Sequence, residues 1–158
     1  MSKLDDIYYK NRILAPIYWD RKRVSFQTRD ITDLHKAKYM ACPEDRELIK
    51  HKHILYGKQH KWNDTGICVE GITDVWRMGY NAFAVFGIKF TRKQVRQITK
   101  HFKRVIILFD DDPQAIKQAK LLKAELLIRG VEAIIEDIKG DPASLMEQDA
   151  KNILKKFY

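Results

Sequence analysis

Val105-Ile106-Ile107-Leu108-Phe109-Asp110-Asp111-Asp112 is an apolar run, rich in β-branched residues, that ends in three consecutive carboxylates. Five apolar residues without alternation suit a parallel strand covered on both faces, and Asp112-Pro113 just beyond suits a helix start, an N-cap followed by proline at the first helical position. Residues two apart on an extended chain point the same way, so Asp110 and Asp112 are expected to project together from the strand end while Asp111 points elsewhere. Ile67-Cys68-Val69 repeats the pattern: Glu70 closes it, Gly71 permits a tight turn, and Asp74 lies near the start of the following helix. In a parallel sheet both acidic ends fall on the carboxyl edge, where α/β folds place their ligands.

Outward from these two stretches, strand and helix alternate from Gly66 onward. Strands are expected over 68–70, 82–86, 104–110 and 131–135, and helices over 73–78, 91–101 and 113–129. A last helix, opened by Asp141-Pro142, should run to about 155. In the helix over 113–129, Ile116, Ala119, Leu122, Leu126 and Leu127 form the expected apolar stripe, and Gly130 stops it. Short links between alternating βα units imply a parallel sheet with right-handed crossovers.

The first 61 residues read differently. Tyr8, Tyr9, Tyr18, Trp19, Phe26, Tyr39 and Tyr56 are scattered among Lys and Arg, and residues 17–19 and 23–29 suit two short strands around a turn. Val24, Phe26 and Thr28 would share one face, with Arg23 and Arg29 on the other. From Arg21 to Lys61 there are eleven Lys or Arg against five acids. Such a surface either meets a phosphate backbone or is simply solvated charge. The expected organisation is a small basic subdomain over 1–65 followed by an α/β domain over 66–158.

Length and a 45% hydrophobic fraction agree with a globular chain able to bury a core, and a net charge of +9 suits a polyanionic partner. Cys42 and Cys68 form no CxxC pair, which argues against a zinc ribbon or a disulfide framework and for a reduced cytoplasmic chain. No apolar stretch approaches a membrane span, and the start Met-Ser-Lys-Leu-Asp-Asp does not read as a signal peptide.

Carboxylates converging on one sheet edge repel one another unless a cation or protons neutralise them. A cluster without His or Cys donors suits Mg²⁺, a hard ion with oxygen ligands, better than zinc; Mn²⁺ would serve as well. The plainer alternative is that Asp112 only caps a helix and Asp110 sits in a wet turn. His51-x-His53 lacks further ligands at a recognisable spacing and suits a surface or phosphate-facing role. Gly87, at the end of the strand over 82–86, is either a plain turn or a place where phosphate approaches backbone.

Val69-Glu70-Gly71-Ile72-Thr73-Asp74, Ala84-Val85-Phe86-Gly87 with Phe90-Thr91, Phe109-Asp110-Asp111-Asp112 and Gly140-Asp141-Pro142 resemble, in order and spacing, the TOPRIM domain. Upstream, Arg23-Val24-x-Phe26-x-x-Arg29, Lys38-Tyr39, Pro43-Glu44, Lys50 and Leu55-Tyr56-Gly57 resemble the basic subdomain that precedes TOPRIM in bacterial and phage DNA primases. The resemblance implies a Rossmann-like parallel sheet flanked by helices. It implies Mg²⁺-dependent RNA primer synthesis on a single-stranded DNA template from ribonucleoside triphosphates, with a replicative helicase as a further partner. Glu70, Asp110 and Asp112 would hold the catalytic ions, Asp74 and Asp141 would complete the acidic patch, and Arg23, Arg29, Lys38, Lys50 and Lys52 would meet nucleic acid or nucleotide phosphates. A TOPRIM nuclease and a non-catalytic nucleic-acid-binding module are the competing readings. The sequence departs from the primase pattern at Asp111, where Gly is frequent, at Pro113-Gln114, where a small pair is frequent, at Ala143, where an acid is expected, and at Ala41, where Asn is frequent. No zinc-binding domain or helicase-binding tail is recognised, so the chain is expected to be a fragment or a reduced phage-type version.

Overall fold

The computed structural model describes residues 9–158; Tyr8 lies outside them. The chain divides into two compact units, Met1–His51 and Lys52–Tyr158.

The first unit is a three-stranded antiparallel sheet in the order β1 (Arg12–Trp19), β2 (Lys22–Asp30), β3 (Tyr39–Ala41). Asp20 and Arg21 both take positive φ, 48° and 65°, which matches a two-residue hairpin turn to the right-handed twist of the strands it joins. A bulge between Ile17 and Tyr18 shifts the register of that hairpin. β1 begins five residues earlier than the sequence suggests, because Ile13 and Leu14 are exposed and give no clear alternation.

The second unit holds a five-stranded sheet of order β4-β6-β5-β7-β8, made by β4 (Tyr56–Gly57), β5 (Thr65–Val69), β6 (Ala82–Ala84), β7 (Arg104–Ile107) and β8 (Glu132–Ile135). Four strands run parallel, and β4 joins β6 antiparallel at the edge. That pairing carries residues 52–65 into the second unit, so the division falls after His51 and not after residue 65 as the change in composition implied. Four α-helices connect and flank the strands among the described residues: α1 (Ile72–Met78), α2 (Arg92–His101), α3 (Pro113–Ile128) and α4 (Glu147–Lys155).

The caps explain where the helices begin. Thr91 and Gln94 form a reciprocal capping box at α2, at 3.1 and 3.0 Å, and Asp112 Oδ1 accepts from the Gln114 and Ala115 N–H groups at the start of α3. Asp141-Pro142 opens only a single 3-10 turn, Pro142–Ser144, and α4 starts separately at Glu147. β6 stops at Ala84, because Phe86 and Gly87 turn the chain at φ 61° and 104°. On α3 the buried stripe is Ala115, Ala119, Leu122 and Leu126; Ile116 and Leu127 are largely exposed, about one position out of phase with the expected face.

One apolar cluster under the sheet joins Ile67, Val69, Val75, Met78, Ile106, Leu108 and Ala150. An aromatic cluster stacks Phe83 on Phe102 at 4.7 Å with Trp62 against Phe102. Gly66 sits beneath those rings: a Cβ there would lie 2.6–2.7 Å from Phe102 and Phe83 atoms, so the stack requires glycine at that position. Cys42 and Cys68 are free and buried. No helix among the described residues is long and apolar enough to cross a membrane.

Candidate metal centre and its carboxylates

The parallel register places the ends of β5 and β7 side by side, and the chain continues from each into an acidic residue. Pairing persists one step beyond β7, since Leu108 N–H donates to Cys68 O at 2.9 Å, and the Asp110 N–H then donates to Glu70 Oε1 at 3.0 Å. Glu70 and Asp110 are therefore joined by a backbone bond to a side chain. The strand itself ends at Ile107, so Asp110 and Asp112 stand on an irregular segment and not on an extended strand end.

Each neighbouring carboxylate is also held by backbone. Asp74 is buried; its Oδ2 accepts from Gly71 N–H at 2.8 Å and its Oδ1 from Ala143 N–H at 3.1 Å, which clips the start of α1 to the 141–144 turn. Asp141 Oδ1 accepts from Ser144 N–H at 3.0 Å, and Asp112 Oδ1 caps α3. Asp111 is exposed, and its N–H donates to Gly140 O at 2.9 Å, tying the acidic loop to the loop that carries Asp141.

The electrostatics follow from this convergence. Burial, then the carboxylates of Glu70, Asp74, Asp141 and Asp112, push Asp110 up to about 7. Glu70 is also raised, first by burial and then by Asp112 and Asp74, against the lowering effect of the Asp110 N–H. Asp110 Oδ1 is buried with no hydrogen-bond partner among the described residues. A carboxylate oxygen out of water and without a donor is costly; a proton or a cation compensates it, and the oxygen ligands of the cluster fit a hard cation. Among the described residues no three His, Cys, Asp or Glu side chains are arranged to hold an ion, so the carboxylates would have to draw together around one.

The basic residues are dispersed. Arg23 and Lys38 are exposed on the first unit. The Arg29 guanidinium donates to the Tyr39 hydroxyl at 2.5 Å and lies over that ring, 5.3 Å from its centroid. Lys50 pairs with Glu44 at 2.7 Å. Lys52 belongs to the second unit, and its Nζ donates to Val85 O, Phe86 O and Lys89 O at 2.9, 2.9 and 2.6 Å. An ammonium has three protons to donate, so the expected phosphate contact of Lys52 has none left for it here. His51 is tied to its own unit: its Nδ1 lies 2.7 Å from the buried Glu47 carboxylate, which also accepts from Ser25 Oγ at 2.6 Å. The Gly87 N–H is occupied as well, donating to Glu70 O at 2.8 Å.

Sequence reasoning missed two residues that organise the site edge. Gln94 is fully buried and its Nε2 donates to Ile54 O and Val85 O at 3.1 and 2.9 Å. Thr91 Oγ1 donates to Lys52 O at 2.7 Å. The Thr91-x-x-Gln94 spacing announces a helix cap, but nothing in it announces the tertiary bonds.

Residues 67–146 match the Toprim-like family, and the chain belongs to that family. Its relatives narrow the class. The DNA primase of Aquifex aeolicus (strain VF5) is 32% identical over 133 residues, a match covering 78% of this chain and 27% of that protein. The crystal structure of the zinc-binding and RNA polymerase domains of the Aquifex aeolicus primase superposes with a TM-score of 0.79 at 27% identity, over 94% of this chain and 40% of that one. The DnaG primase catalytic domain bound to single-stranded DNA shares the fold, with a TM-score of 0.79 at 22% identity over 92% of this chain and 50% of that chain. The chain thus spans about a quarter of the length of the curated primase it matches. TOPRIM domains are in general metal-dependent.

Proposed function

We propose that this chain is the acidic, metal-binding part of a primase-type polymerase core, joining ribonucleotides on a single-stranded DNA template. The observation that carries the reading is Asp110: pushed up to about 7, with an orphaned buried oxygen, among four other carboxylates at the carboxyl edge of a parallel sheet. The match to DNA primases along most of the chain supports polymerisation as the chemistry.

Glu70, Asp110, Asp112 and Asp141 would hold Mg²⁺, with Mn²⁺ as a substitute. When bound, the ion lowers the pKa of the attacking 3′-oxygen and shields the charge on the nucleotide phosphates. Glu70 keeps Oε1 on the Asp110 N–H, which fixes its orientation. Asp112 and Asp141 each use Oδ1 on a helix start or turn, and the second oxygen of each would serve the ion. Asp74, with both oxygens on backbone N–H groups, holds the Asp141 loop against α1 and acts by positioning.

Arg23, Arg29, Lys38 and Lys50 on the first unit are proposed to meet template or nucleotide phosphates. A replicative helicase is proposed as a further partner, and the cytoplasm as the place where these meet.

Single-turnover assays with the full chain and Mg²⁺ decide the reaction. Incorporation of ribonucleotides on single-stranded DNA is the expected result. Strand cleavage without nucleotides would make the site a nuclease, and binding without either would make the chain a non-catalytic module; each overturns the proposal.

A further inference from the structure

Lys52 is a lysine inside a ring of backbone carbonyls. Its three protons meet Val85 O, Phe86 O and Lys89 O at 2.9, 2.9 and 2.6 Å. These carbonyls belong to the turn after β6, where Phe86 sits at φ 61° and Gly87 at φ 104°. A bulky residue at positive φ is strained, and such a turn persists only if its surroundings hold it. Here the one donor shared by all three carbonyls is the Lys52 ammonium, with Gln94 Nε2 on Val85 O as a second donor to one of them. Without the ammonium, carbonyls gathered toward a single point would lose their shared donor and repel one another.

The turn has a second attachment, on the side of the acidic site. Gly87 N–H donates to Glu70 O at 2.8 Å, and Val85 N–H donates to Val69 O at 3.3 Å. The backbone bearing Glu70 is therefore braced from the turn, while its carboxylate is braced by the Asp110 N–H from the segment that follows β7. Lys52 is itself fixed, because Thr91 Oγ1 donates to its carbonyl at 2.7 Å and Gln94 Nε2 bridges Val85 O and Ile54 O. A continuous set of hydrogen bonds runs from the start of α2, through Lys52 and the turn, to Glu70.

We infer that Lys52 is a positioning residue for the carboxylate site: by collecting the Val85, Phe86 and Lys89 carbonyls it fixes the turn whose Gly87 N–H holds the Glu70 backbone. The inference rests on the reading of Glu70 as a site carboxylate. It assigns Lys52 an inward role in place of a phosphate contact. Burial lowers Lys52 to about 8, which leaves it mostly protonated at neutral pH and able to donate all three bonds.

The test uses the full chain with Lys52→Met, and with Lys52→Gln, whose amide still offers two protons. Four readouts are compared with the parent: hydrogen exchange at the Gly87 amide, Mn²⁺ affinity by electron paramagnetic resonance, kcat against template KM for ribonucleotide incorporation, and the salt slope of single-stranded DNA binding. In Lys52→Met the Gly87 amide should exchange faster, Mn²⁺ affinity should fall about 10- to 100-fold, as when an outer-shell partner is lost, and kcat should fall at unchanged template KM. The salt slope should not change, and Lys52→Gln should lie between Lys52→Met and the parent. If Lys52→Met fails to fold by circular dichroism, Lys52→Gln and Lys52→Arg carry the comparison.

A salt slope flattened by about 0.7, with Gly87 exchange and Mn²⁺ affinity at parental values, would make Lys52 a phosphate contact and overturn the inference. Faster Gly87 exchange with parental Mn²⁺ affinity and kcat would leave Lys52 with a purely structural role and overturn it too. A parent that binds no Mn²⁺ would instead sink the metal-site reading, and the positioning role with it.

Discussion

Asp30 in the three-stranded unit and Asp110 at the edge of the five-stranded sheet are both carboxylates drawn from water, and they differ in what meets them. Asp30 Oδ1 accepts from the Thr32 N–H and hydroxyl at 3.2 and 2.8 Å, and Oδ2 from the His35 N–H at 3.1 Å. Against burial, which raises it, the Thr32 hydroxyl and these N–H groups hold Asp30 down to about 2. Asp110 has no donor on Oδ1 and four carboxylates around it, and is pushed up to about 7, first by burial. A carboxylate that serves the fold is supplied with donors by its own loop. One that is left short of donors among like charges fits a cation.

The largest test of this contrast is Glu70→Gln. It should lower ribonucleotide incorporation by about 100-fold or more, since it removes a ligand needed to activate the attacking oxygen. DNA binding without metal should be unchanged or slightly tighter, because a carboxylate near a polyanion repels it until a cation intervenes. Both are to be measured on one sample whose fold is checked by circular dichroism. Parental incorporation would remove Glu70 from the site, and loss of metal-free binding would make it structural.

Next in size is the opposite pH response of the two aspartates. Asp110 has its folded pKa raised, so its contribution to stability is full below the unfolded carboxylate value and is lost as pH rises toward about 7. Asp110→Asn should therefore stabilise the metal-free protein above neutrality by about 1–2 kcal/mol after allowance for solvent screening. Asp30 has its folded pKa depressed, so its contribution is present above the unfolded value and lost as pH falls toward about 2. Asp30→Asn should destabilise at neutral pH and converge on the parent in acid. Urea titrations across pH read both, and like-signed responses would erase the contrast.

The smallest effects belong to the basic surface. Arg23→Ala and Lys38→Ala should each flatten the log–log salt dependence of single-stranded DNA binding by about 0.7, largely regardless of base sequence. Lys50 already pairs with Glu44 at 2.7 Å and should change the slope less. Filter binding at several salt concentrations measures this, and unchanged slopes would make the surface solvated charge.

Much of this arrangement was legible in the sequence. The β-branched run before Asp110, the Glu70-Gly71 turn and the Asp112-Pro113 cap each follow from local chemistry: β5 pairs in parallel with β7 and Asp112 caps α3, although β7 ends at Ile107, short of Asp110. β4 was not legible, because two residues, Tyr56 and Gly57, carry no periodicity and pair only through the long-range contact with β6. The early end of β6 at Ala84 was hidden by an apolar run that continues through Phe86 although the backbone turns at positive φ. Lys52 reads as a nucleic-acid or phosphate contact because it lies in a basic segment; its carbonyl partners are more than thirty residues away in sequence. Glu47 gave no signal either, since a single acid among basic residues does not reveal a buried bond to Ser25 and His51. The candidate carboxylates were readable because they follow closely on two parallel strands, β5 ending at Val69 and β7 at Ile107; the bonds around them were not, because they are tertiary.

The central claim is that these carboxylates take up a divalent cation, and a direct titration of the full chain with Mn²⁺, followed by electron paramagnetic resonance and repeated in competition with Mg²⁺, tests it. The parent should bind. Asp110→Asn should lose most of that affinity. Asp112→Ser, which retains an N-cap for α3 and so keeps stability within about 1 kcal/mol, should also bind the ion more weakly. Equal Mn²⁺ affinity in the parent, Asp110→Asn and Asp112→Ser would place the ion elsewhere and contradict the account.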